Sequence, residues 1–167
     1  MIKVILTVIV VLLLGALGAV LFVESGIYNI GADDHHMKAT LAFIVQLRDR
    51  SIETRLRSIE PQLAATPAMI QSGAQHYAAL CVGCHLAPGL TKSDLRTGLY
   101  PHPPNLAQED IQESRRAFWI IKHGIKMSAM PAWGRTLDDA AIWDVVAFVR
   151  KMPGMAPEDY QQLAHQP

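Results

Sequence analysis

The first pattern along the chain is an unbroken apolar run. From Val4 to Val23 (VILTVIVVLLLGALGAVLFV) no charged residue interrupts it, and about 20 apolar residues suffice to cross a bilayer as a helix. The rival reading is a cleavable signal peptide, whose apolar stretch of about 7 to 15 residues ends at a small-x-small site. Here Gly15, Ala16, Gly18 and Ala19 lie inside the run, so residues 1–25 read as an uncleaved transmembrane anchor. Glu24 to Asp34 (ESGIYNIGADD) then carries turn punctuation and one aromatic, Tyr28, as expected where a chain leaves a membrane surface.

The second pattern is helical. Leu41, Ile44, Val45, Ile52, Leu56, Ile59 and Leu63 recur at helix spacing, while Arg48, Asp49, Arg50, Glu53, Arg55 and Arg57 fill the other face. Residues 26–66 are therefore expected to be a juxtamembrane linker with an amphipathic helix. Its stripe suits packing on its own domain, lying on the membrane, or gripping a partner subunit.

Glu60-Pro61 breaks this period, and Thr66-Pro67 supplies an N-cap followed by proline at the first helical position. A helix is expected from Pro67 through PAMIQSGAQHYAALC. An irregular stretch follows from His85 to Gln108, with prolines at 88, 101, 103 and 104; a loop this long suits wrapping around a cofactor. Asp110 and Glu113 suggest a cap for IQESRRAFWIIKH, which stops at Gly124. After the loop KMSAMPAWGR, Thr136 and Asp139 form a capping-box pattern ahead of AAIWDVVAFVRKM. That helix carries Ile142, Val145, Val146 and Val149 on one face and ends at Pro153-Gly154. No strand pattern appears, so the fold class is all-α. Residues 67–155 form the expected main domain, and the polar tail 156–167 is expected to fray.

Charge adds exclusions. Lys plus Arg and Asp plus Glu each total 15, so no basic excess recommends nucleic acid as a partner. Lys3 is the only basic residue before the apolar run, and the positive-inside rule leaves the N-terminus cytoplasmic and the rest of the chain outside. No cysteine near residue 20 is available for a lipid anchor.

The chemistry is concentrated in CVGCH, residues 81 to 85, which holds both cysteines of the chain. C-x-x-C-H is the attachment signature of c-type haem, in which two thiols add across the two vinyl groups of the porphyrin and the histidine reaches the iron. On a helix, Cys81, Cys84 and His85 share one face. Structural zinc would want four ligands, and no second cysteine pair or H-x3-5-H partner exists. A thioredoxin-like pair would need a βαβ context, and a simple disulfide leaves His85 without a role. The expected cofactor is one covalently attached haem c.

With these residues placed, the stretch from Pro67 to Met155 resembles the class I c-type cytochromes, specifically the mono-haem modules of membrane-bound oxidase and dehydrogenase complexes. Gly73 and Tyr77 precede CVGCH where that family has a small residue and an aromatic, and Val145 and Phe148 match the apolar partners on its last helix. In that fold the terminal helices cross closely, and glycine permits the approach. The resemblance assigns Pro104, in PPNL, as the carbonyl that accepts from the ligand histidine, with Pro103 an adjacent possibility. It assigns Met130, directly before Pro131, as the sixth iron ligand; Met127 is the competitor, read as core filler. Trp133, Trp119, Tyr100, Arg96, Arg115 and Arg116 are residues that could touch haem or its propionates, Trp133 foremost. The remaining histidines and methionines read as surface or packing residues.

A His/Met site leaves iron no open position, which suits outer-sphere electron transfer and not substrate turnover. The resemblance thus implies a single-pass cytochrome of the bacterial inner membrane, its haem domain periplasmic. Its expected role is to pass single electrons in a respiratory chain, as a carrier or as a subunit of an oxidase or dehydrogenase complex. Its partners would be the membrane and a redox donor and acceptor. A haem-based ligand sensor, with the methionine displaced by a small molecule, is the alternative, and a peroxidase-type enzyme lacks the second haem motif and a distal acid/base set.

Overall fold

A computed structural model describes residues 1–62 and 64–165. Among these there are eight α-helices, one 3-10 turn and no strand. The chain divides into two compact units, residues 1–34 and residues 35 onward.

The first unit is dominated by α1, Ile2–Glu24, of 23 residues. At 1.5 Å per residue it is about 35 Å long, more than the roughly 30 Å of a bilayer core. None of its residues is buried, so its apolar side chains find no cover within the protein. Beyond it, the Asn29 side chain holds a turn, accepting from Gly31 N at 2.9 Å and donating to Asp34 at 3.2 Å.

The second unit begins with α2, Lys38–Leu56, and continues through α3, Pro67–Leu80, and the single turn α4, Val82–His85. Next come α5, Asp94–Thr97, and α6, Ser114–His123, a 3-10 turn at Trp133–Arg135, α7, Asp139–Lys151, and α8, Pro157–His165. Thr66 caps α3, its hydroxyl accepting from Met69 N, with Pro67 at the first helical position. Two starts differ from expectation. Helix α6 begins at Ser114, not Ile111, because Glu113 is itself the cap and accepts from Arg115 N at 3.1 Å. Helix α7 is capped by Asp138, which accepts from Ala141 N at 2.8 Å; Thr136 instead bonds the Trp133 carbonyl. The irregular stretch after His85 also contains a helical turn, α5, capped by Ser93.

The core is the crossing of α3 and α7. Gly73 makes it possible, since a Cβ there would lie 2.0 Å from the Asp144 carbonyl oxygen and 2.9 Å from Phe148 Cβ. Tyr77 and Phe148 are both fully buried, with ring centroids 5.3 Å apart. Ile142, Val145, Val146 and Val149 complete the inward stripe of α7. Residues 157–165 of the expected tail do not fray, and the last two residues lie outside the described ones. Tyr160 and Ala164 of α8 are buried in the same cluster and α8 lies against α3, which a narrow apolar stripe in a polar segment is enough to achieve.

Helix α2 packs on α6. Ile52 is its buried residue, flanked by the half-buried Leu41, Val45 and Leu56. Ile44 of the expected stripe points outward, and Leu63 lies outside the described residues. Two residues assigned to the polar face turn inward instead: Asp49 pairs with Arg116 of α6 at 2.6 Å and with Arg48 at 2.9 Å. The Arg48 hydrogen bond, and then Arg116, hold the Asp49 carboxyl below the usual carboxylate range.

Candidate functional site

Helix α3 ends at Cys81, whose φ of −118° interrupts the helical path. The chain resumes at once: the Cys81 carbonyl accepts from Cys84 N at 3.1 Å and from His85 N at 2.9 Å. One helical turn therefore sets Cys81, Cys84 and His85 side by side. Both cysteines are half-buried and unbridged. Burial, reinforced by Cys84, pushes the Cys81 thiol up to about 12, so it is protonated at neutral pH. Leu86 then takes a φ of 61°, an unusual conformation for a branched residue. Tyr77 holds it there, its hydroxyl donating to the Leu86 carbonyl at 2.6 Å in a fully buried setting.

Replacing Tyr77 with phenylalanine keeps the ring but strands that carbonyl. A buried acceptor left unpaired costs about 1–3 kcal/mol, so the denaturation midpoint of Tyr77→Phe should fall correspondingly. An unchanged midpoint in urea titration would show that the bond carries no weight.

The proline loop returns to the same turn. His85 Nδ1 lies 3.0 Å from the Pro104 carbonyl oxygen, and the His85 carbonyl accepts from Leu106 N at 3.2 Å. A carbonyl has no proton to give, so Nδ1 carries the hydrogen and Nε2 carries the lone pair. Burial lowers the histidine's affinity for a second proton, the Pro104 bond opposing and the nearby Arg96 charge assisting. Pro103 has a different partner, since its carbonyl accepts from the Arg96 guanidinium at 2.9 Å. Ser93, whose hydroxyl also donates to the Gly83 carbonyl, joins α5 to the CVGCH turn.

The loop after α6 is equally constrained. Gly124 has a φ of 63°, and a Cβ on it would fall 2.6 Å from the Met130 carbonyl oxygen. That carbonyl accepts from Ile125 N at 3.2 Å, while Met130 N donates to the Ser128 hydroxyl at 3.2 Å. Met130 is half-buried against the core cluster that Cys81, Leu106 and Trp133 also edge. Met127, expected to pack as core, is fully exposed with a φ of 56°: the tight turn from Ile125 to Met130 throws it outward.

The other residues considered for haem contact separate. Arg115 pairs with Glu113 at 2.8 Å, Arg116 with Asp49, and the Trp119 ring lies against His123. Tyr100 meets the rings of His35 and His36. Among the described residues no group of three His, Cys, Asp or Glu side chains could hold a metal by itself. A cleft of about 580 Å³ lies elsewhere, lined by Arg55, Trp119, Lys122, His123 and Trp143 among others, and includes none of the CVGCH residues.

These residues fit a haem. Two thiols at the i, i+3 spacing match the two vinyl groups of a porphyrin, and a neutral histidine oriented through its Nδ1 with a half-buried thioether suits its iron. Arg96 adds a second observation: its Nε is the one buried side-chain polar atom among the described residues without a partner, and a propionate-bearing cofactor supplies carboxylates to satisfy such a group. By sequence alone Arg96 is one of several residues that could reach a propionate, with nothing to set it apart from Arg115 and Arg116. Its tie to Pro103 spans seven positions across a loop, which no periodicity reveals.

The comparison with known families agrees with this geometry. The model of the family described as cytochrome C oxidase, cbb3-type, subunit III matches residues 68–149. The match runs from α3 into α7 and takes in CVGCH, the proline loop and the methionine loop. No solved structure matches the chain significantly. With helices as its regular elements, closed by the Gly73 crossing and carrying CVGCH against Pro104, residues 68–149 form a class I c-type cytochrome domain, a haem-iron module for electron transfer.

Proposed function

We propose that the protein is a membrane-anchored mono-haem cytochrome c that passes single electrons in a respiratory chain. On this reading it serves as a carrier or as a subunit of an oxidase or dehydrogenase complex. Cys81 and Cys84 would hold the porphyrin covalently, His85 and Met130 would be the ligands of its iron, and α1 would cross the bacterial inner membrane with the haem domain on the periplasmic side. The observation that carries the reading is the His85–Pro104 contact at 3.0 Å, which leaves Nε2 as the imidazole's donor atom. The family described as an oxidase subunit supports a redox-complex partner.

Once bound, haem supplies an iron that exchanges one electron without making or breaking a bond. The protein's own residues set the conditions. Pro104 holds the imidazole in one tautomer and orientation. Leu106, through the His85 carbonyl, and Arg96, through the Pro103 carbonyl, keep the loop closed and water out. Met130 would offer the iron a thioether, which favours the reduced state and would raise the potential above that of a comparable bis-histidine site.

Carbon monoxide added to the reduced protein tests this reading. A closed site gives no spectral change on mixing, whereas rapid and complete binding would favour the sensor. The anchor is tested apart from the haem site: the haem should stay with the membrane fraction through salt and alkaline washes and leave only with detergent. Release without detergent would reject the anchor.

A further inference from the structure

Helix α2 has a second apolar face that the domain does not use. Phe43 is 67 % exposed, Leu47 60 % and Ile44 44 %, and Met37, at the helix N-cap, is 60 % exposed. Positions 43 and 47 stand on the side of α2 opposite the one that buries Ile52 and pairs Asp49 with Arg116, and Ile44 lies at the edge between the two sides. Bulky exposed apolar residues grouped this way mark an interaction surface more than chance composition does.

The face changes character along the helix. Its first half is apolar; its second half carries Arg50 and Thr54, both exposed. The apolar half is thus the half next in sequence to the membrane-spanning run, joined to it by 13 residues, 25 to 37. Fully extended, such a connection reaches at most roughly 50 Å. It contains two further exposed apolar residues, Ile27 and Ile30.

Charge points the same way. Lys38, Arg48, Arg50 and Arg55 stand against Asp49 and Glu53 within α2, four basic to two acidic, although the whole chain balances at 15 and 15. Arg48 pairs with Asp49 and Arg50 with Glu53, which leaves Lys38, at the apolar end of the helix, and Arg55 as the excess, and such an excess on a helix with an exposed apolar face suits anionic headgroups.

We infer that the face formed by Met37, Phe43, Ile44 and Leu47 rests on the lipid surface, giving the haem domain a second membrane contact. The inference rests on α1 being the anchor, because tethering keeps a patch of this size at high effective concentration near the bilayer. The apolar half of the face is also the half nearest in sequence to the membrane-spanning run, where lipid is the surface at hand. The consequence is a restricted orientation: the haem domain is held by α2 and α6, and does not tumble freely on its linker.

Single spin labels on the full-length haem protein test this in vesicles of phosphatidylethanolamine and phosphatidylglycerol, in the diamagnetic reduced state. Labels at Phe43→Cys and Leu47→Cys should be several-fold more accessible to oxygen, which partitions into lipid, than to a water-soluble nickel chelate. Thr54→Cys should show the reverse. Greater nickel access at 43 and 47 would overturn the inference, and protection from both reagents would overturn it in favour of a protein-covered face. A label at Leu13→Cys separates the two readings: lipid at 13 with water at 47 rejects only the α2 contact, whereas water at both rejects the anchor as well.

Discussion

Gly73→Ala should strongly destabilise the haem domain. The added methyl would sit 2.0 Å from the Asp144 carbonyl oxygen and 2.5 Å from its carbon, which are backbone atoms that no rotamer change can move aside. Helices α3 and α7 must therefore separate, and with them the contacts of Tyr77, Phe148 and Val145 that close the core. Overpacking in a core costs typically about 1–3 kcal/mol, and a clash against backbone belongs at or above the top of that range. Against a total stability of about 5–15 kcal/mol, the loss is severe. Gly98→Ala is the control, because its Cβ meets only the Leu95 carbonyl at 3.8 Å; its effect should stay within about 0.5 kcal/mol. Denaturant titration of both variants decides, and equal midpoints would show that the crossing is not as close as described.

The second large effect is functional. On the proposed ligation, Met130→Ala should leave the haem attached, because Cys81, Cys84 and His85 lie on a different element, yet free a position on the iron. The reduced variant should then bind carbon monoxide stoichiometrically, and its potential should fall once the thioether no longer favours the ferrous state. Met127→Ala should behave as wild type, since Met127 is fully exposed. Gas titration and potentiometry read both outcomes. A Met130→Ala protein that remained inert to carbon monoxide would remove Met130 from the iron.

Much of this architecture was legible before any coordinates. CVGCH and Thr66-Pro67 are local signals, and the stripe of α7 is periodic, so each reports its own structure. The His85–Pro104 pairing spans 19 positions and was legible only through the likeness to known cytochromes. What escaped depends on partners far away in sequence. Asp49 sits amid charged residues and reads as solvated, yet Arg116, 67 positions later, draws it inward. The stretch from Pro157 reads as polar because only Tyr160, Leu163 and Ala164 face the core. Met127 reads as filler because nothing in MSAM reveals that the turn gives it a positive φ. The exposed face of α2 was hidden for a related reason: Phe43 and Leu47 lay outside the stripe that periodicity selected, and only burial separates the two faces.

The central claim is a closed iron site with His85 on one side and Met130 on the other. Proton NMR of the reduced full-length protein tests it most directly, because a methyl held against a porphyrin face is strongly shielded by the ring current. One methionine methyl should resonate far upfield of the others, vanish in Met130→Ala and persist in Met127→Ala. A reduced protein without an upfield methionine methyl, or one that loses it with Met127, would contradict the account.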